Sequence, residues 1–270
     1  MIQRFFSQAW LNAKVQQGGL NLTEFLVFKV GLSISTLLLY VLIAQFTTGN
    51  FDLTAWVVGN AFALCIYECI FDIGGIFDSE RFNGRLRSIM VSPTSKLTVI
   101  MFNGVSSIVA GFITIASAFV IGGLIFGVQF SDFNIGMFAL AIMSATFASV
   151  GLGLLLAVFA LITDSIFLML NALALLIMIF SGANFPIAQL PVFAQYIANV
   201  FPLYRSISAA NLSIGGTFTT EYGSLLLGEI ILGIMYYLSA FLLIRVIERI
   251  AIRRAALEMF YIMSTEQIAF

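Results

Sequence analysis

The chain has 270 residues, of which 61% are hydrophobic and only 9% charged, with a formal net charge of −1. Soluble domains are about one-quarter charged, so this surface cannot face water throughout, and a mean hydropathy of +1.07 points to lipid as its surroundings. Histidine is absent, which excludes imidazole acid–base chemistry and histidine metal ligands, and nothing in the charge balance points to a nucleic-acid partner.

In chain order, the first 25 residues are mixed and polar, so no cleavable signal peptide is expected. Residues 1–20 instead place Ile2, Phe5, Phe6, Ala9, Trp10 and Ala13 at helical spacing, with Gln3, Arg4, Gln8, Asn12 and Lys14 opposite. That pattern predicts an amphipathic interfacial helix with its tryptophan at the headgroup boundary. A membrane span needs roughly 20 apolar residues. Six segments qualify: Leu26–Phe46, Thr54–Phe77, Leu97–Phe126, Ile135–Leu161, Ser165–Phe180 and Tyr222–Leu243, the fifth being short. The fold class is therefore an all-α membrane protein with six transmembrane helices, a single domain over 1–270.

Lys and Arg set the orientation. Arg4, Lys14 and Lys29 precede or open the first span; Arg81, Arg85, Arg87 and Lys96 lie between the second and third; Arg245, Arg249, Arg253 and Arg254 follow the sixth. The connections at 47–53 and 127–134 carry only Asp52 and Asp132, and 181–221 carries Arg205 as its one basic residue. Six spans with both termini cytoplasmic satisfy this bias. Residues 245–270 then form a cytoplasmic tail whose basic residues also suit anionic lipid.

Three prolines, Pro186, Pro191 and Pro202, interrupt the apolar text between the fifth and sixth spans. Broken backbone at membrane depth must be buried in protein or line water. A water-exposed loop would not need Phe185, Val192, Phe193, Tyr196, Ile197 and Phe201, so 183–212 reads as an outer re-entrant helical hairpin rather than an ordinary extracellular loop.

Within 78–95, Phe82, Leu86, Ile89 and Met90 fall on one face of a helix that Pro93 ends. Charges alone would fix topology; the apolar stripe adds a surface for a cytoplasmic partner. The stretch "ERFNGRLRSIMVSP" resembles the E-R-x-x-G-x-L-x-x-[LI]-x-x-[ST]-P pattern of type-2 ABC transporter permeases, the ABC-2 membrane family. Glu80, Arg81, Gly84, Leu86, Ile89, Ser92 and Pro93 match it, and Arg85 stands where that family often has Thr or Ser. "SGANFPIAQLP" followed by "PLYR" is similar to a second segment of the family, through Ser181, Gly182, Phe185, Pro186, Gln189, Leu190, Pro191, Pro202 and Leu203.

The resemblance implies several roles. The 78–95 segment would be a coupling helix docking on a cytoplasmic ABC ATPase through Glu80, Arg81, Asn83, Gly84, Arg85, Leu86, Arg87 and Pro93. Phe185, Pro186, Pro191 and Pro202 would belong to the outer gate. Two permeases, identical or related, would each sit over one of two ATPase copies in a bacterial inner membrane. The chain lacks G-x-x-x-x-G-K-[ST], so it has no phosphate cradle of that kind. ATP and Mg would be held by the ATPase, with no cofactor and no catalytic residue on this chain. The expected function is outward movement of an amphiphilic small molecule, drug or peptide by alternating access. The alternatives are a polysaccharide or lipid-linked glycan exporter subunit and an ion-coupled carrier without an ATPase.

Glu68 and Asp72 lie at i and i+4 in the second span. A charged acid there costs on the order of 2.5–3.5 kcal/mol in lipid, so both should face protein or water. With Asn60 they are the substrate-cavity candidates; the competing reading is a hydrogen-bonded structural pair, with Tyr67, Asn60 or a serine as partner. Cys65 and Cys69 share that face and read as packing rather than metal ligands. Asp164 is expected to cap the fifth helix. Glu229, alone in the sixth span, could pair with Lys29 or Arg205 or sit in an outer hydrogen-bonded pocket. Intramembrane proteolysis is disfavoured: a rhomboid-type serine protease needs a histidine, and "FDIGGIFD" has the letters of G-x-G-D in the wrong order.

Overall fold

The computed structural model describes residues 31–49, 53–84, 86, 88, 96–128, 134–163, 165–184, 186–214, 216 and 218–268; beyond Arg249 only the helical backbone is described. The expectations for residues 1–20, Lys29, Asp52, Arg85, Arg87, Ile89, Met90, Ser92, Pro93, Asp132, Asp164 and Phe185 lie outside these residues.

Long apolar runs free of proline become helices: α1 Gly31–Thr48, α2 Thr54–Gly74, α3 Ile76–Phe82, α4 Lys96–Phe126, α5 Ile135–Ala160 and α6 Ile166–Phe180. Proline then breaks the chain into a 3₁₀ turn Ile187–Gln189, α7 Val192–Ala198 and α8 Tyr204–Leu212, before α9 Thr220–Ile268. Among the described residues there is no strand. Pro186 and Pro191 occupy the N-cap positions of the 3₁₀ turn and α7, where their missing N–H costs nothing.

The windows Thr54–Gly74, Ser107–Phe126, Ile135–Ala160 and Thr220–Ile247 are long and apolar enough to cross a bilayer; α1 and α6 supply shorter apolar helices. The 15 residues of α6 span about 22 Å at ~1.5 Å per residue, less than the ~30 Å hydrocarbon core. The chain continues beyond Phe180 through Ser181 and Ala183, both buried. At the other extreme, α9 runs for 49 residues, carrying the helix of the sixth span on past Leu243 through the tail.

Burial separates the helices by role. The spans in α2 and α5 are 78% and 72% buried, those in α4 and α9 only 29% and 28%. α2 and α5 therefore form the centre, with α4 on α2 and α9 on α5. Small residues permit these approaches. A methyl added at Gly111 would lie 2.8 Å from Cys65 Sγ, and one added at Gly233 would lie 3.1 Å from the Ala148 Cα. The main core joins Phe62, Ile66, Ile70, Ile73 and Phe77 of α2 and α3 to Leu152, Leu156, Ile166 and Leu170. Tyr222, fully buried at the start of α9, donates its O–H to the Met137 carbonyl at 2.6 Å and fixes α9 against the start of α5.

Candidate functional site

The segment after α2 differs from a single amphipathic helix. α2 passes through Gly75 into α3, with Gly75 N–H donating to the Phe71 carbonyl and Ser79 N–H to the Gly75 carbonyl. α3 stops at Phe82. Asn83 N–H donates to the Ser79 carbonyl, Gly84 N–H to the Arg81 carbonyl, and Gly84 has φ +70°. A glycine in the left-handed region is the ordinary way to end a helix. The expected i, i+4 relation between Phe82 and Leu86 is therefore interrupted, and the two side chains separate. Leu86 packs on the main core, whereas Phe82 is 92% exposed.

Arg81 braces this turn. Its guanidinium donates to the Ala160 carbonyl at 3.0 Å and the Thr163 carbonyl at 3.1 Å, and lies 3.5 Å from the Asp78 carboxylate. Ala160 ends α5, where carbonyls lack intrahelical partners and a cation is favoured. Arg81 thus ties the turn to the α5–α6 corner. Ser165 holds the N-cap position of α6 without a side-chain capping bond.

At the opposite end of α2, the Ser181–Asn184 loop rests on the helix. A methyl on Gly59 would fall 2.8 Å from the Ala183 Cα, so the two backbones touch. Asn60 donates to the Trp56 carbonyl at 3.0 Å and to Asn184 Oδ1 at 3.2 Å. Beside this contact is a cavity of about 370 Å³ lined by Trp56, Ser181, Asn184, Tyr204, Ser208 and Asn211 among others, Pro186 included, with no charged side chain in the lining. α8 is held to α5 by a 3.0 Å hydrogen bond between the buried hydroxyls of Ser144 and Ser206. Phe201 stacks on Phe180 with ring centroids 5.6 Å apart.

The three cavity candidates do not come together. Asn60 supports the Ser181–Asn184 loop. Glu68 and Asp72 are half-buried two and three turns further along α2 and do not line this cavity. Tyr67, a proposed partner for them, instead donates to the Ala174 carbonyl at 2.6 Å. Cys65 and Cys69 are buried, and among the described residues no group of three or more Cys, Asp or Glu is placed to hold a metal ion.

A family model described as ABC-2 type transporter matches residues 4–214. The chain belongs to the ABC-2 type transporter family. No curated protein matches it. The family is one of membrane permeases, so this ABC-2 chain is a multi-pass transport subunit, not a catalytic one, and such permeases typically work with an ATPase subunit. The matched stretch ends before α9, yet α9 supplies a hydrogen-bonded contact whose partner the sequence left open. Glu229, fully buried, accepts a hydrogen bond at 2.8 Å from the backbone N–H of Leu203. Arg205, considered as its partner, donates to Asn199 Oδ1 at 3.2 Å. A lone acid in an apolar span was the available signal; its partner is a main-chain group, which residue types do not reveal. Arg81 was singled out for docking, but its capping of α5 follows from a tertiary contact that no local motif encodes.

Proposed function

We propose that this ABC-2 chain is the membrane-spanning subunit of an ATP-driven exporter that moves an amphiphilic small molecule, drug or peptide outward by alternating access. In this reading the chain crosses the membrane six times with both termini in the cytoplasm of a bacterial cell. It pairs with a second permease and docks on two copies of an ATPase that hold the ATP and Mg. The turn Glu80–Leu86 is the docking element, continuing through Arg87 to Pro93. The outer hairpin, with Phe185, Pro186, Pro191 and Pro202, closes the exit.

One observation carries this reading: the turn after α3 presents an exposed Phe82 on a backbone braced by Arg81 to the end of α5. A phenylalanine so exposed beside charged groups suits burial in a protein groove. Because α3 continues α2, and Arg81 joins it to α5, a push on Phe82 reaches the two central helices without a slack linker.

The test is to purify the tagged chain from its native membrane and assay vanadate-sensitive ATP hydrolysis in the eluate. The expected result is co-purifying activity that Phe82→Asp abolishes while the variant remains inserted and monodisperse. A chain that elutes without an ATPase, or a Phe82→Asp variant that retains all of the activity, overturns the proposal.

A further inference from the structure

We propose that Glu229 is a positioning residue that latches the outer hairpin closed by holding the backbone of Leu203 in a conformation it would otherwise leave. This rests on the reading of the hairpin as the outer gate and names the group that sets its resting position.

Leu203 has φ 98° and ψ −45°, and among the described residues it is the one non-glycine residue with positive φ. Steric repulsion between Cβ and the backbone excludes leucine from that region in ordinary turns. Such a residue persists only where its surroundings over-determine it. Here the constraint is visible. Leu203 follows the buried Pro202 and is the N-cap residue of α8; its carbonyl accepts from Ile207 N–H at 2.7 Å and its N–H donates to Glu229 Oε1 at 2.8 Å.

Glu229 in turn makes its one hydrogen bond among the described residues to this backbone N–H, with the Arg205 guanidinium as a nearby opposite charge. It is 0% exposed in an otherwise apolar stretch of α9, and its Oε2 has no hydrogen-bond partner. An acid so placed is costly within a membrane, and a structural filler would be apolar. Two neighbouring contacts come from the same helix. Tyr236 donates its O–H to the Val200 carbonyl, and the Arg205 side chain lies across Gly228, whose added methyl would meet Arg205 Cδ at 2.8 Å. α9 therefore grips residues 200–205 from one side, with Glu229 at the strained point.

This arrangement has two discrete states. Closed, the strain at Leu203 is offset by the bond to Glu229. Released, Leu203 returns to negative φ, the bond is lost and the start of α8 moves. Because Tyr204, Ser208 and Asn211 of α8 line the outer cavity, release changes that cavity directly.

The experiment uses Ser206→Cys, at a fully buried position on α8 against Ser144, in nanodiscs that expose both membrane faces. The readout is the rate of labelling by a charged, membrane-impermeant maleimide; the native Cys65 and Cys69 are buried and the parent chain gives the background. Glu229→Ala should raise the rate at least about tenfold, as expected for releasing a strained residue. Glu229→Gln retains a carbonyl oxygen for the Leu203 N–H and should stay within about threefold of the parent. Adding Leu203→Gly to Glu229→Ala should restore slow labelling, because glycine enters positive φ without strain and needs no latch to stay there. A residue of merely structural importance would show no such rescue. An unchanged rate in Glu229→Ala, or a double variant as fast as Glu229→Ala, overturns the proposal. If Glu229→Ala is not recovered folded, Leu203→Gly alone decides. Labelling slowed severalfold supports the latch, and labelling at or above the parent rate refutes it. No ATPase is present in this assay, so failure to capture an ATPase would sink the pump reading and leave these rates standing.

Discussion

Gly84 shows how a single residue type shapes the turn after α3. Its φ of +70° costs a β-carbon-bearing residue about 1–2 kcal/mol, so Gly84→Val should loosen the turn and reduce ATPase co-purification, with Gly84→Asn milder because asparagine tolerates this region. Nothing lies within 4 Å of a methyl added there, so any effect reports backbone conformation and not a clash. Arg81 predicts a different signature. Its two bonds to carbonyls at the α5 end should be worth about 1.5–3 kcal/mol together, the range for hydrogen bonds to a charged group. Arg81→Ala should therefore lower the thermal unfolding midpoint even without an ATPase, and Arg81→Lys, which lacks the planar fork, should recover only part. At this scale Gly84 was legible as a motif position, and its reason is now a dihedral angle. The exposure of Phe82 was not legible, because periodicity assumes an unbroken helix and Gly84 breaks it.

Among the elements, α2 does the most positioning. One end carries the Ser181–Asn184 loop and, through Gly75, the other carries α3 and the turn that follows it. Gly59→Val should push the loop away, since the backbone of Ala183 is already 2.8 Å from an added methyl. The expected outcome is a lower unfolding midpoint and loss of the Asn60–Asn184 contact, read by thermal denaturation in detergent. Gly223→Ala in α9, where an added methyl meets nothing within 4 Å, should leave the midpoint unchanged or slightly higher. The bounds of α4, α5 and α6 were readable to within a residue or two, because proline-free apolar runs between polar connections leave little choice. Which helices are central was not readable. Lipid and protein interior are equally apolar, so a helix hydrophobic all round, such as α5, carries no stripe to say which side faces its neighbours.

For the whole molecule, the asymmetry of Lys and Arg remains the guide to orientation. Fluorescent-protein fusions, which mature in the cytoplasm but not after export in unfolded form, should be bright at either terminus. A dark fusion at one end would contradict an even number of crossings. The broad apolar surfaces of α4 and α9, including exposed Leu124, Leu238 and Leu242, fit a chain surrounded by lipid. The family was legible from two short motifs, since both sit where the backbone does something unusual: a left-handed glycine in one, proline-capped breaks in the other. The link between the second motif and the last helix lay hidden, because it runs from a main-chain N–H to a side chain 26 positions away.

The 49 residues of α9 make a rod about 73 Å long at ~1.5 Å per residue, more than twice the thickness of a ~30 Å hydrocarbon layer. The helix that bears Glu229 is therefore also the one that is too long to lie within a single crossing. One continuous helix thus carries, in its first half, the hold on residues 200–205 through Glu229 and Tyr236 and, beyond them, a stretch longer than any single crossing requires.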